Sequence, residues 1–340
     1  MKRARAAGAD INEEELLSVI KDMENRIRRC YVETVPLESD NFVRMISMDA
    51  SFILELFLKS YECKWEIDDP MVMEGWLLNK IYHELLLLEN QLPFFVIEKL
   101  YRLLPSCSTS SSLIQLTFDF FDSFNIHYSN VEIQIQHFTD LLRLFQLPHK
   151  KLASKETRII FPMYSTTQLH EAGVKFKVVA SKCVLDFSFE KGMLKIPLLE
   201  FMDGTEAHIQ NIMALEQCDI RNDRYITDFY LILDRLINTT KDVDLLCDKE
   251  IIVNSLGDNN VVTSMISNLN RGIFRGDMNS DYSHICLALN KFYEVPWHRW
   301  KEILRHQCFS TRRTASTIFW CSLYYKQYSL SKSSIDSMSM

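Results

Sequence analysis

The sequence predicts a mainly α, α+β protein that carries one small antiparallel β-hairpin or sheet around residues 174–201. Two observations lead to this fold class. Apolar residues recur every three or four positions through most of the chain, which is typical of amphipathic helices. Residues 174–201 instead alternate between apolar and polar side chains, which is typical of strands. The 340 residues are 47% hydrophobic and 24% charged, a composition that rules out wholesale disorder.

The helices of the N-terminal half follow from apolar spacing and from breaks at proline. Leu16, Ile20 and Ile27 lie on one helical face and predict a first helix within residues 11–31. Further helices are predicted at residues 41–59, 76–88, 93–104, 113–121 and 131–145. The segment 76–88 is apolar on every side of the helical wheel, so it is predicted to be buried.

The C-terminal half begins with the predicted strands. Alternation predicts strands within residues 174–180, 183–189 and 193–201. The turn Glu190-Lys191-Gly192 joins the last two and predicts a β-hairpin. Gly173 is predicted to end the preceding helix with a positive φ. Helical spacing returns from residue 205 and continues through residues 225–237, 242–253, 259–269 and 281–304.

Three segments describe the predicted organisation of the chain. Residues 1–10 form a disordered N-terminus, residues 11–305 a single domain, and residues 306–340 a basic, serine-rich tail. The low-complexity segment Ser106–Ser112 is predicted to be an exposed loop. The N-terminus lacks the apolar run of a signal peptide. Thr317–Tyr325 falls short of the roughly 20 apolar residues that a spanning helix needs, so we expect a chain that does not span a membrane.

The charge distribution bears on the partners. Lys and Arg number 38 against 45 Asp and Glu, a net charge of −7, so no nucleic-acid partner is predicted. Lys291–Lys332 departs from this balance with eight basic and two acidic residues, and it includes Trp297 and Trp300. Two explanations fit this segment: a solvated tail, or a peripheral contact with an anionic membrane surface.

The motifs of several enzyme classes are absent from the sequence. The eight glycines form neither G-x-G-x-x-G nor G-K-[S/T], which excludes the usual nucleotide-phosphate cradles. G-x-S-x-G and H-E-x-x-H do not occur, and the nine cysteines include no C-x-x-C. The sequence therefore predicts no cofactor, no metal ion and no identifiable small-molecule ligand, and it predicts reduced cysteines.

Three carboxylates stand where apolar residues are expected. Asp49 and Glu216 share helical faces with apolar side chains, and Glu89 ends a predicted buried helix beside Asn90 and Gln91. Burying an ionised carboxylate is costly unless it is paired or hydrogen-bonded. Two explanations are open: an acid–base pair of a hydrolase, or structural groups that bind helix ends or a buried Arg. We predict that all five side chains are buried structural groups.

Asp203-Gly204-Thr205-Glu206 has the pattern of an N-terminal capping box. In such a box the side chain of the capping residue and that of the residue three positions later satisfy free backbone N–H groups. Asp203 and Glu206 are therefore predicted to have a structural role.

Five motifs occur in a recognisable order along the chain: Met48–Phe57, Leu85–Val96, Leu169–Phe176, Ile196-Pro197 with Asp203–Glu206, and Ala214–Cys218. With these motifs the chain closely resembles the plant family called domain of unknown function 247, also known as the UPF0481 proteins. The resemblance runs from about Glu24 to Trp300, and the most diagnostic part is Glu89-Asn90-Gln91-Leu92-Pro93.

The resemblance implies a plant-specific, mostly helical protein of unknown biochemical function. Members of the family usually end in one hydrophobic membrane-spanning helix, some are implicated in self-incompatibility recognition in grasses, and no catalytic residues are established. It therefore implies non-enzymatic recognition or signalling through a protein partner, with an uncharacterised hydrolase as the alternative. Here Thr311–Met340 replaces the family's apolar helix, so we expect a cytoplasmic or peripheral-membrane protein.

Overall fold

The computed structural model describes residues 13–67, 69–104, 112–121, 134–147, 155–156, 160–179, 183, 186–218, 224–273 and 278–295. The described residues confirm the mainly α, α+β class, with helices dominating and a few short strands. Four predictions fall wholly or largely outside them: those for residues 1–10, for the Ser106–Ser112 loop, for the tail 306–340 and for the membrane contact of Lys291–Lys332.

The secondary structure elements follow one another along the whole described chain. The helices are α1 (Glu13–Arg28), α2 (Ser39–Glu62), α3 (Pro70–Met73), α4 (Gly75–Glu84), α5 (Phe94–Tyr101), α6 (Leu113–Phe120), α7 (Phe138–Phe145), α8 (Thr166–Glu171), α9 (Thr205–Cys218), α10 (Tyr225–Leu236), α11 (Thr240–Asp248), α12 (Asn259–Leu269) and α13 (Ser280–Glu294). The strands are β1 (Lys155–Glu156), β2 (Lys175–Val179), β3 (Ser188–Glu190), β4 (Met193–Pro197), β5 (Leu199–Phe201), β6 (Ile252–Asn254) and β7 (Met278–Asn279).

The chain divides into two compact units. Unit 1 comprises residues 1–152, 181–185 and 202–227, and unit 2 comprises residues 153–180, 186–201 and 228–340. The single domain expected over residues 11–305 stays a prediction, because compactness alone does not show that either unit folds by itself.

Unit 1 is a helical assembly around α2. This helix packs against α1, α5 and α6, and its buried face includes Phe42, Ile46 and Phe57. The ring of Phe57 lies 4.8 Å from that of Phe120 and 5.6 Å from that of Phe138, measured between centroids. The Phe57 and Phe138 rings meet edge to face, at 72°, an arrangement in which aromatic rings attract one another. This cluster belongs to the core of the unit.

Unit 2 contains the strands β1–β7 together with α8, most of α10 and α11–α13. Its core includes Phe187, whose ring contacts those of Phe229 and Tyr282 at 5.8 and 6.1 Å. Asp242 of α11 accepts hydrogen bonds from the backbone N–H and the hydroxyl of Thr167, at 2.8 and 2.7 Å. This carboxylate therefore ties α11 to the first turn of α8.

The predicted hairpin is confirmed, and the sheet around it is mixed. Strands β3 and β4 pair antiparallel through the two-residue turn Lys191-Gly192, in which both residues have positive φ, as a type I′ hairpin requires. A side chain at position 192 would also approach the Phe292 ring to 3.0 Å. Strand β2 pairs with β4 in parallel, so the expectation of a purely antiparallel sheet is wrong for this strand.

Two further predictions need correction. The segment 76–88 was expected to be buried, yet α4 contains no buried residue and Trp76 is 61% exposed; burial begins only at Leu85. The helix predicted over residues 242–253 ends at Asp248, and Ile252–Asn254 forms a strand parallel to β5. Apolar spacing indicated the elements but not which of their faces would be covered.

Candidate functional site

Unit 1 contains an open cleft with a volume of about 1180 Å³. Its lining includes the connection between α1 and α2, residues 31–36, and residues 134–137, which lead into α7. The segment from Leu88 to Phe95, Glu98 of α5 and Arg102, directly after α5, also line it. Arg26, Cys30, Leu215 and Cys218 complete the lining.

Gln91 holds the central wall of the cleft in place. Its side-chain amide nitrogen donates to the carbonyls of Leu85 and Leu87, at 2.8 and 2.5 Å. Its side-chain oxygen accepts from the backbone N–H groups of Phe138 and Thr139, at 2.8 and 3.2 Å. These two N–H groups open α7 and have no partner inside the helix. Gln91 thus has a structural role and caps α7, although it is half-buried and was predicted to be buried.

Tyr31 connects the α1 side of the cleft to the same wall. Its hydroxyl donates to the main-chain carbonyl of Gln91 at 3.2 Å. Burial raises the pKa of Tyr31 to about 12, and the nearby Cys30 and Asp49 act in the same direction. Tyr31 therefore stays protonated at neutral pH and serves as a hydrogen-bond donor.

The charged side chains of the cleft are held by local contacts. The guanidinium of Arg26 lies 3.7 Å from the centre of the Phe95 ring, within the range of a cation–π interaction. Arg102 pairs with Glu98 at 2.8 Å, one helical turn away. Glu33 and Glu89 add two further carboxylates to the lining. The cleft thus offers aromatic, cationic and anionic surface side by side.

His137 contributes a neutral ring to the far side of the cleft. It is the residue that caps α7, and its Nδ1 accepts from the backbone N–H of Asp140 at 3.2 Å. Burial lowers the pKa of His137, while the charge of Asp140 opposes the shift. An Nδ1 that accepts a hydrogen bond places the proton of the neutral ring on Nε2.

Unit 1 also contains a histidine pair that does not line the cleft. His83, near the end of α4, and His208 of α9 approach to 2.9 Å between Nδ1 and Nε2, with their rings stacked at 22°. The His83 ring lies against Gly204, where a Cβ atom would come within 3.0 Å of it and where φ is +86°. Burial lowers the pKa of His208 to about 4, and His83 adds to this shift. The two histidines are 125 residues apart in the sequence, so no local spacing predicts the pair.

Glu216 is buried and paired, as predicted. Its carboxylate accepts from Arg143 Nε at 3.0 Å and from the backbone N–H and hydroxyl of Thr227, at 2.8 and 2.7 Å. The backbone N–H of Ile226 donates to it as well. Burial raises the pKa of Glu216, and Arg143 with the other donors opposes this shift. Glu216 therefore does both things expected of a structural carboxylate: it binds a buried Arg and it caps a helix, α10.

Asp49 and Glu89 do not fit the prediction of burial. Asp49 is exposed on α2, although partial desolvation still raises the pKa of its carboxyl. Glu89 and Asn90 are exposed on the 3₁₀ turn Leu88–Asn90, and Asn90 donates to the carbonyl of Glu84 at 3.1 Å. The turn lies at the cleft surface instead of in the core.

The capping box predicted for α9 has a different arrangement. The helix begins at Thr205, so Glu206 is its second residue instead of its third, and Asp203 is exposed one residue before the cap position. Glu206 accepts a hydrogen bond from Gln210 Nε2 at 3.1 Å. The Thr205 hydroxyl accepts one from the Met202 N–H at 3.0 Å.

The hydrolase alternative required two candidate carboxylates in one cleft. Of Asp49, Glu89 and Glu216, Glu89 lines the cleft, Glu216 has no exposed side-chain surface, and Asp49 lies outside the lining. Within the described part of the chain, no three His, Cys, Asp or Glu side chains are grouped as metal ligands.

Comparison with known proteins identifies the family of this chain. The family model of domain of unknown function 247, described as plant protein of unknown function, matches residues 1–323. The chain belongs to this family. It is 28% identical over 321 residues to the UPF0481 protein At3g47200 of Arabidopsis thaliana, covering 85% of this chain and 67% of that protein. It is 29% identical over 85 residues to the putative UPF0481 protein At3g02645 of the same plant, covering 25% of this chain and 15% of that protein. No solved structure matches the chain.

Two motifs of the domain of unknown function 247 family have structural roles in this chain. The segment Leu85–Val96 forms the cleft wall and caps α7 through Gln91. Gly204 of the Asp203–Glu206 motif accommodates the His83 ring. Among the helices of the described residues, none has both the length and the apolar character needed to cross a membrane.

Proposed function

We propose that this plant protein acts by non-enzymatic recognition and that the cleft of unit 1 binds an extended segment of a partner protein. The observation that carries the proposal is the cleft itself, a volume of about 1180 Å³ open to solvent. Pockets for small molecules are commonly about 300–1,000 Å³, so the cleft suits a stretch of polypeptide better than a small ligand.

The chemistry of the lining supports the same proposal. A polypeptide segment presents backbone donors and acceptors, apolar side chains and charges. The cleft offers the Arg26–Phe95 stack, the Glu98–Arg102 pair and the carboxylates of Glu33 and Glu89. Arg26 and Glu98 stand on helices, and Phe95 and Glu89 belong to the segment that Gln91 holds in place. These groups need little ordering when a partner binds, which favours affinity.

The family resemblance adds a biological setting. Recognition of the kind that operates in self-incompatibility is one context in which a plant protein binds a specific protein partner. A peripheral membrane contact through Lys291–Lys332 would bring such recognition to a membrane surface, and it stays a prediction.

The cleft can be tested by blocking it. Val32 lines the cleft and its side chain is fully exposed, so Val32→Trp adds bulk to the cleft without disturbing packed neighbours. Val261→Trp, at a 45% exposed position of unit 2, is the matched control. Random peptides displayed on phage would be selected on the full chain, and their synthetic forms measured by fluorescence anisotropy against each variant.

We expect the selected peptides to bind the wild type and Val261→Trp equally and Val32→Trp at least about tenfold more weakly, the effect of losing one well-packed contact region. Peptides that bind Val32→Trp as tightly as the wild type would place recognition elsewhere. Mass spectrometry of the bound peptides tests the hydrolase alternative. Cleavage that Glu89→Gln abolishes would establish that alternative in place of recognition.

A further inference from the structure

The segment that joins α2 to α4 exposes an unusual amount of apolar surface. Ile67, Val72, Met73 and Trp76 are 89%, 48%, 70% and 61% exposed, and we call these four residues the Trp76 patch. A side chain built on the neighbouring Gly75 would meet no atom within 4 Å, so the surface beside the patch is open. The four residues lie within ten positions of one another in sequence, and exposed apolar groups that cluster in this way are typical of interaction surfaces.

The patch rests on a fixed local scaffold. Asp69 caps α3 by accepting from the backbone N–H of Met71 at 3.1 Å, and its other oxygen binds Lys59 of α2 at 2.5 Å. The backbone N–H of Glu74 donates to the Pro70 carbonyl at 2.9 Å, which places α4 directly after α3. These bonds fix the backbone that carries Val72 and Met73, which lowers the entropic cost of binding a partner.

The charges around the patch are predominantly acidic. Residues 62–74 contain five Asp or Glu residues and one Lys. Glu66 and Glu74, which adjoin the apolar residues in sequence, are both exposed. Three lysines lie nearby in sequence: Lys64 pairs with Glu62 and Lys59 with Asp69, while Lys80 is exposed one turn after Trp76 on α4. Residues 59–80 still contain five acidic against three basic residues.

We propose that the Trp76 patch is a docking surface for a basic amphipathic helix of a partner protein. Trp and Met are enriched at the centres of protein interfaces, and Met adapts to varied apolar shapes. A helix that presents apolar residues on one face and Lys or Arg beside them matches both the apolar centre and the acidic surroundings. The inference is separate from the cleft, because none of the four patch residues lines it.

The same charges argue against two other occupants. An anionic membrane surface attracts basic segments and repels the carboxylates of Glu66 and Glu74. A second copy of this chain would bring two acidic surfaces together, and like charges placed face to face oppose association. A basic partner meets neither obstacle.

The test uses the full chain and a defined probe. The probe is a fluorescein-labelled synthetic helix of about 18 residues, long enough to form in isolation, with Leu at helical spacing and Lys elsewhere. A second peptide has Glu in place of every Lys. Met73→Lys is compared with Met48→Lys, since Met48 is also 72% exposed but lies on α2. Glu74→Lys is compared with Asp248→Lys, an exposed acidic position of unit 2.

We expect the Lys helix to bind at least about tenfold more tightly than the Glu helix, and Met73→Lys to lose at least about tenfold in affinity, as for an interface anchor. Trp76→Ala should give a similar loss, whereas Met48→Lys should stay within about twofold of the wild type. Glu74→Lys should weaken binding more than Asp248→Lys. Val32→Trp should leave this binding unchanged, so that a failure here and a failure at the cleft are distinguishable.

Three results would overturn the inference. Equal losses in Met73→Lys and Met48→Lys, with melting curves that match the wild type, would show that only net charge attracts the peptide. If the wild type sediments with phosphatidylserine-containing vesicles and Met73→Lys does not, the patch binds a membrane instead. If the wild type self-associates in analytical ultracentrifugation and Met73→Lys does not, the patch binds a second copy of this chain instead.

Discussion

Glu216 and Asp49 hold the same kind of position in the sequence and opposite positions in the structure. Each is a carboxylate among apolar residues on a helical face. Glu216 is 2% exposed and accepts from a buried Arg and from the first turn of α10. Asp49 lies on the surface of α2, close to Met45, Met48 and Phe52, which are themselves 36%, 72% and 45% exposed.

The difference shows what an apolar helical face does and does not imply. In α2 the fold covers Phe42, Ile46 and Phe57, but it leaves the apolar residues Met45, Met48 and Phe52 partly exposed. The apolar residues of α9 beside Glu216 are covered, because Ile212 and Met213 are both fully buried. Which face is covered depends on helices distant in sequence, and the four predictions below test that distinction.

The largest effect should come from breaking the buried ion pair. Glu216→Gln removes the negative charge that the nearly buried Arg143 contacts, and breaking such a pair costs about 3–5 kcal/mol of unfolding free energy. Urea denaturation of the full chain would measure the loss. Glu98→Gln is the matched control, because it breaks an exposed Glu–Arg pair for which about 0.5 kcal/mol is expected. Similar losses in the two variants would contradict a sealed Glu216.

The second effect depends on pH and arises at the His83–His208 pair. Burial lowers the pKa of His208 to about 4, whereas an unfolded histidine titrates near 6.5. Between these values the unfolded chain binds more protons, so the unfolding free energy falls as the pH falls from 6.5 to 4. The loss approaches about 3 kcal/mol at pH 4, at about 1.4 kcal/mol for each unit of pKa.

Urea denaturation at pH 7 and at pH 4.5 would measure this slope. His208→Gln should reduce the difference between the two pH values, because it removes the titrating ring. His170→Gln, which changes an exposed histidine of unit 2, should leave the difference as in the wild type. If all three proteins lose the same stability on acidification, His208 is not the group responsible.

The third effect is a difference in stability between variants of Gln91 and of its neighbour Asn90, both in the diagnostic family motif. Gln91→Ala leaves the first two N–H groups of α7 without their side-chain partner, and we expect a loss of about 1–3 kcal/mol. Asn90→Ala removes one exposed hydrogen bond to the Glu84 carbonyl, so its cost should be about 0.5 kcal/mol or less. Thermal and urea unfolding of both variants would make the comparison. Equal costs would mean that the motif does not act through Gln91.

The sequence was informative where structure is local. The β3–β4 hairpin, the positive φ of Gly173 and most helices follow from spacing and turn residues over a few positions. The capped wall of the cleft was not predictable, because Gln91 bonds residues 47 and 48 positions away. The same holds for Glu216 and Arg143, separated by 73 residues. The Glu98–Arg102 pair, at i and i+4, was open to prediction from spacing alone.

The smallest effect should come from Asp49, and its sign is informative. Desolvation raises the pKa of this carboxyl in the folded protein, so folding disfavours its ionised form. A carboxyl with a raised pKa destabilises the fold above that pKa and does so less as the pH falls. Asp49→Asn should therefore stabilise the chain slightly at pH 7, by less than about 0.5 kcal/mol, and the gain should vanish near pH 3.

Urea denaturation at both pH values, with Asp22→Asn on the exposed surface of α1 as the control, would measure this change. Leaving the partners of a buried polar group unsatisfied costs about 1 kcal/mol or more. If Asp49→Asn loses that much stability at pH 7, Asp49 is a buried, hydrogen-bonded carboxylate like Glu216. The comparison between the two carboxylates would then fail, because the exposed face of α2 would have to be covered in solution by another part of the chain or by a partner.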